Sequence, residues 1–265
     1  MKISIITVVK NGMPYLKDAV KSFELQDYKN KELIIVYSKS NDGTDIYLHS
    51  LKKKYKIFLD ANTGNKFDAI NIGIKKSNGN IIGLLHSDDI FFNYKTLSNI
   101  IDKIKISKLD GAYGGVYFSE KNNLNIINRI WEPKKFNKKK IFYGWMPPHT
   151  SLFIKKEVFE KIGLYSNKYK ISSDYEFILR MLLNDSFKIK STNLIHAIMR
   201  EGGDSRKIRF LLLKIIEDLS ILKKHKLSFF TIFSKILSKI NQFFKNKKIH
   251  NQYLNEFKLY KKNNE

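Results

Sequence analysis

Two adjacent carboxylates follow an apolar segment in the first third of the chain. Residues 81–85 are apolar and run directly into His86-Ser87-Asp88-Asp89. Neighbouring carboxylates repel each other, and a divalent cation would remove that cost. Carboxylate oxygens suit Mg²⁺ or Mn²⁺, and such an ion could hold a diphosphate group. The motif therefore predicts a metal site, although aspartates that cap the start of a helix would give the same dipeptide.

Asp174 is the candidate general base. It lies in Ser172-Ser173-Asp174-Tyr175-Glu176, a pattern typical of the start of a helix. A carboxylate near a helix N-terminus stays ionised, and an ionised carboxylate close to a hydroxyl group can remove its proton. A capping box, with Ser172 or Ser173 as the cap and Glu176 completing it, explains the same residues. The two interpretations are compatible.

Two further segments could supply polar groups. Asn41-Asp42-Gly43-Thr44 follows the second apolar run and could hold a base or a ribose through Asp42, or form a turn followed by a Thr cap. Trp145-Met146-Pro147-Pro148-His149-Thr150 is a rigid segment in which Trp145 and His149 could border a pocket. A lone histidine is more often structural, so both roles stay open for His149.

Alternating strand and helix patterns must position these side chains. Residues 3–9, 33–36, 55–59 and 81–85 have the composition of strands, and residues 15–25, 44–54 and 67–76 have helical spacing. This order predicts an α/β fold with a Rossmann-like, mostly parallel sheet flanked by helices. Ligands of such sheets bind beyond the carboxyl ends of the strands, so we expect the loops after these four strands on one rim.

The middle of the chain continues with shorter elements. We predict helices at 94–108, 156–162 and 174–183, a β pair at 113–118 and 126–131, and strands at 151–154 and 195–199. Residues 132–140 are basic and polar, which indicates an exposed loop. One domain is therefore expected to span residues 1–205.

Composition limits the possible classes of protein. The chain has 265 residues, 43% of them hydrophobic, which is enough for a substantial core and argues against a disordered or collagen-like chain. Cysteine is absent, which excludes disulfides, thiolate catalysis and Cys-ligated metals. No segment has the length of a transmembrane helix or the pattern of a signal peptide, which is compatible with a cytoplasmic location.

The charge is strongly positive, with 49 Lys and Arg against 25 Asp and Glu and a formal net charge of +24. Such an excess indicates an anionic partner, namely nucleic acid, an acidic membrane surface or a phosphate-bearing substrate. The chain is also rich in Lys, Asn and Ile, and the compositional bias of an AT-rich genome would raise the charge without any partner.

Residues 206–265 are predicted to form a basic, amphipathic helical extension. The polar segment before it, Gly202-Gly203-Asp204-Ser205, could close over phosphates or act as a linker. A helix with an apolar, Phe-containing stripe and a Lys face suits a membrane interface, and a helix packed on the main domain is the alternative. The stripe consists of Phe229, Phe230, Phe233, Ile236, Leu237, Ile240, Phe243 and Phe244.

Read in order, several segments resemble the family 2 glycosyltransferases, which are inverting enzymes of the GT-A fold. The resemblance covers about residues 1–205 and is strongest to bacterial enzymes that build O-antigen, capsule or other surface polysaccharides. One position departs from the family pattern, because Tyr37 stands where an Asp usually follows the second strand. Tyr37 can stack on a base but cannot supply a carboxylate. The matching segments are SIITVVKNGMPYLKDAVKSF, ELIIVYSKSNDGT, KFDAINIGI, GNIIGLLHSDD, PPHTSLFIKKEVFEKIGLY, SSDYEFILRM and GGDS.

The resemblance implies a nucleotide-diphospho-sugar donor, for which we expect a UDP- or dTDP-sugar, a divalent metal (Mn²⁺ or Mg²⁺) and direct displacement at the anomeric carbon. Asp174 matches the catalytic base, and Asp88-Asp89 matches the metal motif, with Asp89 as the direct ligand. Trp145, His149 and Glu176 are the candidates for the acceptor side. The positions that match donor contacts are Thr7, Val9, Asn11, Tyr37, Asp42, Asp68 and Asp88.

The acceptor is expected to be a saccharide, free or linked to polyprenyl diphosphate. The basic C-terminal helices would meet a lipid-linked acceptor at an anionic membrane surface, so we expect a cytoplasmic protein, peripheral on the inner face of the bacterial membrane. A nucleic-acid-binding protein would explain the charge but not the acids at strand ends, and no nucleic-acid-binding signature is present. A family member that binds sugar nucleotide without transferring the sugar is the other alternative, and Tyr37 motivates it.

Overall fold

The structure is a computed structural model that describes residues 1–60, 65–202, 208–232 and residue 234. Asp204 and Ser205 of the polar segment after Gly202, and most of the predicted Phe-containing stripe from Phe233 onward, lie outside the described residues.

The N-terminal third is a parallel α/β unit. Its strands are β1 (Ile3–Val9), β2 (Lys31–Tyr37), β3 (Lys56–Leu59) and β4 (Ile81–Leu84), and its helices are α1 (Tyr15–Glu24), α2 (Thr44–Leu51) and α3 (Lys66–Lys76). The strands lie side by side in the order β3-β2-β1-β4, and all three pairs are parallel. Val9 lies opposite Tyr37, and Tyr37 lies opposite Leu59, so three strands end together. The predicted parallel unit and its common rim are confirmed.

Hydrophobic packing covers both faces of this unit. Ile34 and Val36 face one core cluster together with α3, whereas Leu33 and Ile35 face a second cluster together with α1. A strand that is buried on both faces needs apolar side chains at consecutive positions, which explains why β1 and β2 have continuous apolar sequences rather than alternating ones.

The remaining strands extend the sheet in a mixed pattern. They are β5 (Ile90–Phe91), β6 (Gly111–Ser119), β7 (Ile127–Trp131), β8 (Leu152–Lys155) and β9 (Ile189–Arg200). The sheet continues from β4 in the order β8-β6-β9-β5, and β7 pairs with β6. β8 is antiparallel to both β4 and β6, whereas β6 and β9 are parallel, so parallel and antiparallel pairs are mixed beyond β4. The predicted antiparallel pair of β6 and β7 is confirmed.

Two strand boundaries differ from the sequence prediction. β5 has only two residues, too few to show a period. β9 begins at Ile189, whereas the sequence pattern predicts a start at 195. Between these positions the strand is irregular, because its pairing with β6 shifts register between Tyr113 and Val116 and Asn193 adopts a left-handed φ of 62°. Such an irregularity interrupts the alternation by which strands are recognised.

Four α-helices complete the described chain, together with two short 3₁₀ helices at Lys138–Tyr143 and His149–Ser151. The α-helices are α4 (Thr96–Ile106), α5 (Lys156–Ile162), α6 (Ser173–Leu183) and α7 (Ile208–Lys224). Ile221 and Leu222 of α7 are buried in the same core cluster as Phe177 and Ile178 of α6. The described start of the C-terminal extension is therefore packed on the main domain. Among the residues that the structure describes, no helix is long and apolar enough to span a bilayer.

Candidate active site

The loops that follow β1 and β2 are joined by hydrogen bonds. The Asn11 backbone N–H donates to Ser40 Oγ at 3.0 Å, and Asn11 Oδ1 accepts from the Asn41 backbone N–H at 3.0 Å. The Gly12 backbone N–H donates to Thr44 Oγ1 at 2.9 Å. A Cβ atom at Gly12 would lie 2.4 Å from Val9 Cγ2, so the tight approach of this loop to the strand requires glycine. The two loops form one connected part of the rim.

Asp42 is the main link between these loops. Its Oδ2 accepts from the Met13 backbone N–H at 2.8 Å, and its Oδ1 accepts from the Thr44 backbone N–H at 3.1 Å and hydroxyl at 2.6 Å. Slight burial would raise the pKa of Asp42, but the hydrogen bonds from Thr44 and Met13 outweigh it and lower the pKa. Asp42 therefore has a structural function at the start of α2, and its predicted donor contact stays a prediction.

Of the predicted donor contacts near the end of β1, two lie within the strand and one lies beyond it. Thr7 and Val9 are buried within the strand, and their predicted donor contacts stay predictions. Asn11 lies beyond the strand end, is exposed, and has a left-handed φ of 51°.

Tyr37 ends β2 with its ring half-buried against the core cluster under α1. The Asp60 backbone N–H donates to the Tyr37 carbonyl at 2.8 Å, and the Asp60 side chain is buried directly after β3. Asp60 is not among the predicted site residues, although its position after a strand is the same signal that identified Asp88. Asp68 lies half-buried in the first turn of α3, and its predicted donor contact stays a prediction.

The Asp88-Asp89 motif combines one accessible and one buried carboxylate. Asp88 is half-buried, whereas Asp89 is 1% exposed and its Oδ2 has no hydrogen-bond partner. Burial raises the pKa of Asp88. The pKa of Asp89 is raised well above its ordinary range, mainly by burial and to a smaller extent by repulsion from Asp88. The backbone N–H of Arg200 opposes this rise at Asp89. These two acids are held in an environment that disfavours their charge.

Basic side chains surround the same loop. The charges of Arg200 and Lys121 both lower the pKa of Asp88. The Arg200 guanidinium is buried, forms an ion pair with Asp18 of α1 and lies 4.8 Å from the Tyr15 ring centroid. The loop therefore combines negative charge, which suits a metal ion, with nearby positive charge, which suits a diphosphate group.

The residues present fit a magnesium or manganese ion. Among the residues that the structure describes, no group of three or more His, Cys, Asp or Glu side chains could enclose a metal. Mg²⁺-type ions bound to substrate phosphates, however, use only one or two carboxylates and keep waters and phosphate oxygens as their other ligands. The unpaired Oδ2 of Asp89, beside Asp88, meets this smaller requirement.

Asp174 is joined to the same loop through two histidines. His149 Nδ1 lies 3.3 Å from Asp174 Oδ2, and His149 Nε2 lies 2.9 Å from His86 Nε2. His86 is the first residue of the loop that carries Asp88 and Asp89. The candidate base and the candidate metal motif, 85 positions apart in sequence, are therefore connected by the hydrogen bond between the two histidines and the close contact of His149 with Asp174.

The surroundings of Asp174 favour its ionised form. Burial would raise the pKa of Asp174, but His149, Lys66 and Lys214 outweigh it, as does the Tyr175 backbone N–H at 2.8 Å, and the pKa is lowered. Burial lowers the pKa of His86 and of His149, and the negative charge of Asp174 opposes this shift at both imidazoles. Asp174 is thus a charged proton acceptor at the entrance of α6.

Neighbouring elements hold the start of α6 in place. Glu217 of α7 accepts three backbone N–H groups, from Lys170 at 2.8 Å, Ile171 at 3.0 Å and Ser172 at 2.8 Å. Asn71 of α3 bonds the Tyr165 backbone at both its N–H and its carbonyl. The segment that presents Asp174 is therefore clamped between α3 and α7.

Glu176 is a correction to the sequence analysis. We predicted it on the acceptor side, but its side chain is fully buried and its carboxylate forms ion pairs with Arg180 at 2.9 Å and Lys224 at 2.6 Å. Residues two apart on a helix point to nearly opposite sides, so Glu176 faces α7 when Asp174 faces the site. Glu176 joins α6 to α7.

The two other acceptor candidates lie in different surroundings. His149 lies between His86 and Asp174. Trp145 is half-buried, stacked on Phe136 and edge-on to Tyr113, both at 5.7 Å between centroids. Its predicted place at an acceptor pocket stays a prediction. His86 and Glu217 were missed as site residues, and only the position of His86 directly after a strand gave a signal.

Comparisons with known proteins agree with this geometry. A family model described as Glycosyl transferase family 2 matches residues 4–163. An uncharacterized glycosyltransferase of Mycobacterium tuberculosis is 27% identical over 183 residues, which are 68% of this chain and 69% of that protein.

Two solved structures share the fold. TarS 1–349 of S. aureus, in complex with UDP-GlcNAc, has a TM-score of 0.67 at 18% identity and covers 97% of this chain and 80% of that chain. This chain spans 44% of the longer TarS chain. The mannosyltransferase PcManGT from Pyrobaculum calidifontis, in complex with GDP-Man and Mn²⁺, has a TM-score of 0.60 at 14% identity, covering 84% and 64%. The predicted GT-A architecture is confirmed. Because the family model covers more than half of the sequence, the chain belongs to glycosyl transferase family 2.

Proposed function

We propose that the chain is an inverting glycosyltransferase that moves a sugar from a nucleotide-diphospho-sugar to a saccharide or a lipid-linked saccharide. The observation that carries the proposal is the ionised Asp174 joined through His149 and His86 to the Asp88-Asp89 loop. The solved relatives of the same fold hold UDP-GlcNAc, or GDP-Man with Mn²⁺, which supports a nucleotide-sugar donor.

Asp88 and Asp89 are the residues that would hold a divalent cation in this chain. When bound, such a cation supplies positive charge for the diphosphate that leaves the sugar. The requirement for a metal and the choice between Mn²⁺ and Mg²⁺ belong to the proposal. Arg200 and Lys121 add fixed positive charge near Asp88.

Asp174 performs the proton transfer. Its carboxylate accepts the proton of the acceptor hydroxyl while that oxygen bonds to the anomeric carbon and the bond to the diphosphate breaks. Attack from the face opposite the leaving group inverts the anomeric centre, and the transition state has oxocarbenium character, as in glycoside hydrolysis. The reaction needs no covalent intermediate on the protein.

A screen of nucleotide sugars tests the function. The purified chain is mixed with UDP-, dTDP- and GDP-sugars with and without Mn²⁺, and thermal shift and release of nucleoside diphosphate are measured. We expect one donor both to raise Tm and to be turned over. A donor that binds without release of nucleoside diphosphate, with or without saccharide acceptors, would instead support a non-catalytic sugar-nucleotide-binding protein, the role that Tyr37 motivates.

Asp174→Asn tests the base. It removes the negative charge but keeps the size of the side chain, so we expect kcat to fall about 10²- to 10⁴-fold while donor affinity changes little. Asp102→Asn, at an exposed position on α4, is the matched control and should keep full activity. Transfer by Asp174→Asn at the wild-type rate would remove Asp174 from the mechanism.

A lipid-linked acceptor at an anionic membrane surface is the finer part of the proposal. Leu211, Leu212, Ile215 and Ile216 form an exposed apolar surface in the first half of α7, whereas Ile221 and Leu222 are buried nearer its end. Lys223 follows in the last turn of the helix. An apolar surface on a helix that also carries a lysine is suited to the boundary between lipid head groups and acyl chains. Such an interaction would place the protein at the inner face of the membrane.

A further inference from the structure

Two histidine nitrogens within hydrogen-bond distance must divide the roles of donor and acceptor. The distance of 2.9 Å between His86 Nε2 and His149 Nε2 requires one N–H and one lone pair. His149 Nδ1 lies 3.3 Å from Asp174 Oδ2, where a lone pair would face the negative charge of the carboxylate, so Nδ1 is the nitrogen of His149 that carries the proton. His149 Nε2 then accepts the hydrogen bond, and His86 Nε2 carries the second proton.

His86 therefore donates its hydrogen bond to His149, and the Nδ1–H group of His149 faces the carboxylate of Asp174. The side chains of His149 and Asp174 are 20% and 18% exposed, so they are held mainly by protein contacts while one edge remains open. Lys66, Lys214 and Tyr165 are the other titratable groups that influence Asp174.

We propose that His149 is a positioning residue, which orients the carboxylate of Asp174 through Nδ1, and that His86 holds His149 in the tautomer this requires. The catalytic part of this inference rests on the proposed function, whereas the tautomers do not. Since His86 begins the Asp88-Asp89 loop, these contacts also link the orientation of the base to the donor side of the site.

Nuclear magnetic resonance of the free protein tests the tautomers without any substrate. The protein is labelled with ¹⁵N-histidine, and ring N–H correlations are recorded at pH 8, with signals assigned from His86→Gln and His149→Asn. We expect His149 as the Nδ1–H tautomer and His86 as the Nε2–H tautomer. His196 is an internal reference for Nδ1–H, because its Nδ1 lies 2.9 Å from the Ser151 carbonyl, which can only accept. Any other state of His149 would overturn the assignment.

Kinetics test the positioning role once a donor is known. His149→Ala should lower kcat about 10- to 100-fold with an unchanged donor KM, and should move the acid limb of the pH–rate profile to higher pH, because Asp174 loses a neighbour that favours its charged form. His149→Asn places an amide N–H near the position of Nδ1 and should restore most of kcat. His49→Asn, exposed on α2, is the control and should behave as wild type.

Two results would overturn the positioning role. One is a wild-type kcat and acid limb in His149→Ala. The other is a loss in His149→Ala that His149→Asn does not reduce, since this would indicate a packing role for the ring. A failure of all variants and the wild type to turn over any donor would count against the proposed function, and the tautomer result would stand separately.

Discussion

Asp89 and Asp174 are both carboxylates near the rim, but their surroundings push their pKa values in opposite directions. Asp89 is deeply buried beside another acid, which raises its pKa, whereas Asp174 lies among His149, Lys66 and Lys214, which lower its pKa against burial. Opposite environments for two acids are a common way to separate their functions within one site. Here, Asp174 is ready to accept a proton, while Asp89 is suited to a cation that removes its unfavourable charge.

Asp89→Asn is expected to stabilise the metal-free protein. The folded-state pKa of Asp89 lies above its unfolded value, so its ionisation destabilises the fold as the pH rises, and this cost is present at pH 7. Removing it should raise the free energy of unfolding by about 1 kcal/mol and Tm by about 2–4 °C. Mn²⁺ should raise the Tm of the wild type but not that of the variant.

Asp102→Asn on α4 is the control, and it should change neither Tm nor the response to Mn²⁺. A lower Tm for Asp89→Asn together with an undiminished Mn²⁺ response would contradict both the buried-charge argument and the metal site.

At the scale of elements, α6 depends on its neighbours for its position. Its first turn carries Asp174, and Glu217 of α7 fixes the backbone just before it. Glu176, on the opposite side of α6, forms ion pairs with Arg180 and with Lys224 of α7. α7 is therefore a support for the base as well as part of the C-terminal extension.

Glu176→Gln should reveal this support through its pH dependence. Burial alone would raise the pKa of Glu176, but His225, Lys224 and Arg180 lower it from its ordinary value of 4.5 to about 2. A lowered folded-state pKa stabilises the protein above pH 4.5, and this contribution is lost as the pH falls towards 2. Urea unfolding should therefore show a loss of about 1–3 kcal/mol for Glu176→Gln at pH 7.

The difference between wild type and Glu176→Gln should shrink steadily below pH 4.5. Glu160→Gln, at an exposed position on α5, is the control and should unfold as wild type at every pH. A deficit that stays constant from pH 7 to pH 3 would show that the charge of Glu176 is not the source of the stabilisation.

At the scale of the whole molecule, basic side chains occur both at the rim and on the C-terminal extension. Arg200 and Lys121 act on Asp88 at the rim, whereas Lys223 lies at the end of α7, a helix with exposed apolar residues. We propose a membrane surface, rather than nucleic acid, as the partner of this second group.

A double substitution tests the membrane contact. Leu212→Asp with Ile216→Asp places two charges on side chains that are 61% and 63% exposed, so the fold should be retained. Co-sedimentation with vesicles containing phosphatidylglycerol should fall at least several-fold, because the apolar contact is lost and negative charge is added. Ile106→Asp on α4, where the side chain is 82% exposed, should bind as wild type. Equal binding by the double variant would exclude this face of α7.

The parallel half of the fold and the positions of the candidate base and the candidate metal motif could be predicted from the sequence. β1 to β4 are continuous apolar runs, and the polar residues directly after them must lie on one rim because parallel strands share a direction. Asp88, Asp89 and Asp174 were found by these local signals. The resemblance to a known family joined them into one hypothesis.

The second half of the sheet and the connections within the site could not be read in the same way. β8 and β9 pair with strands far away in sequence, and a register shift hides the start of β9. The contact of His86 with His149 spans 63 positions, and that of Glu217 with Ser172 spans 45. The hydrophobic periodicity of the sequence does not indicate such contacts, because they form only when helices and loops pack together. Local patterns therefore identified the acids at the rim, whereas packing determined which of them are buried, charged and joined.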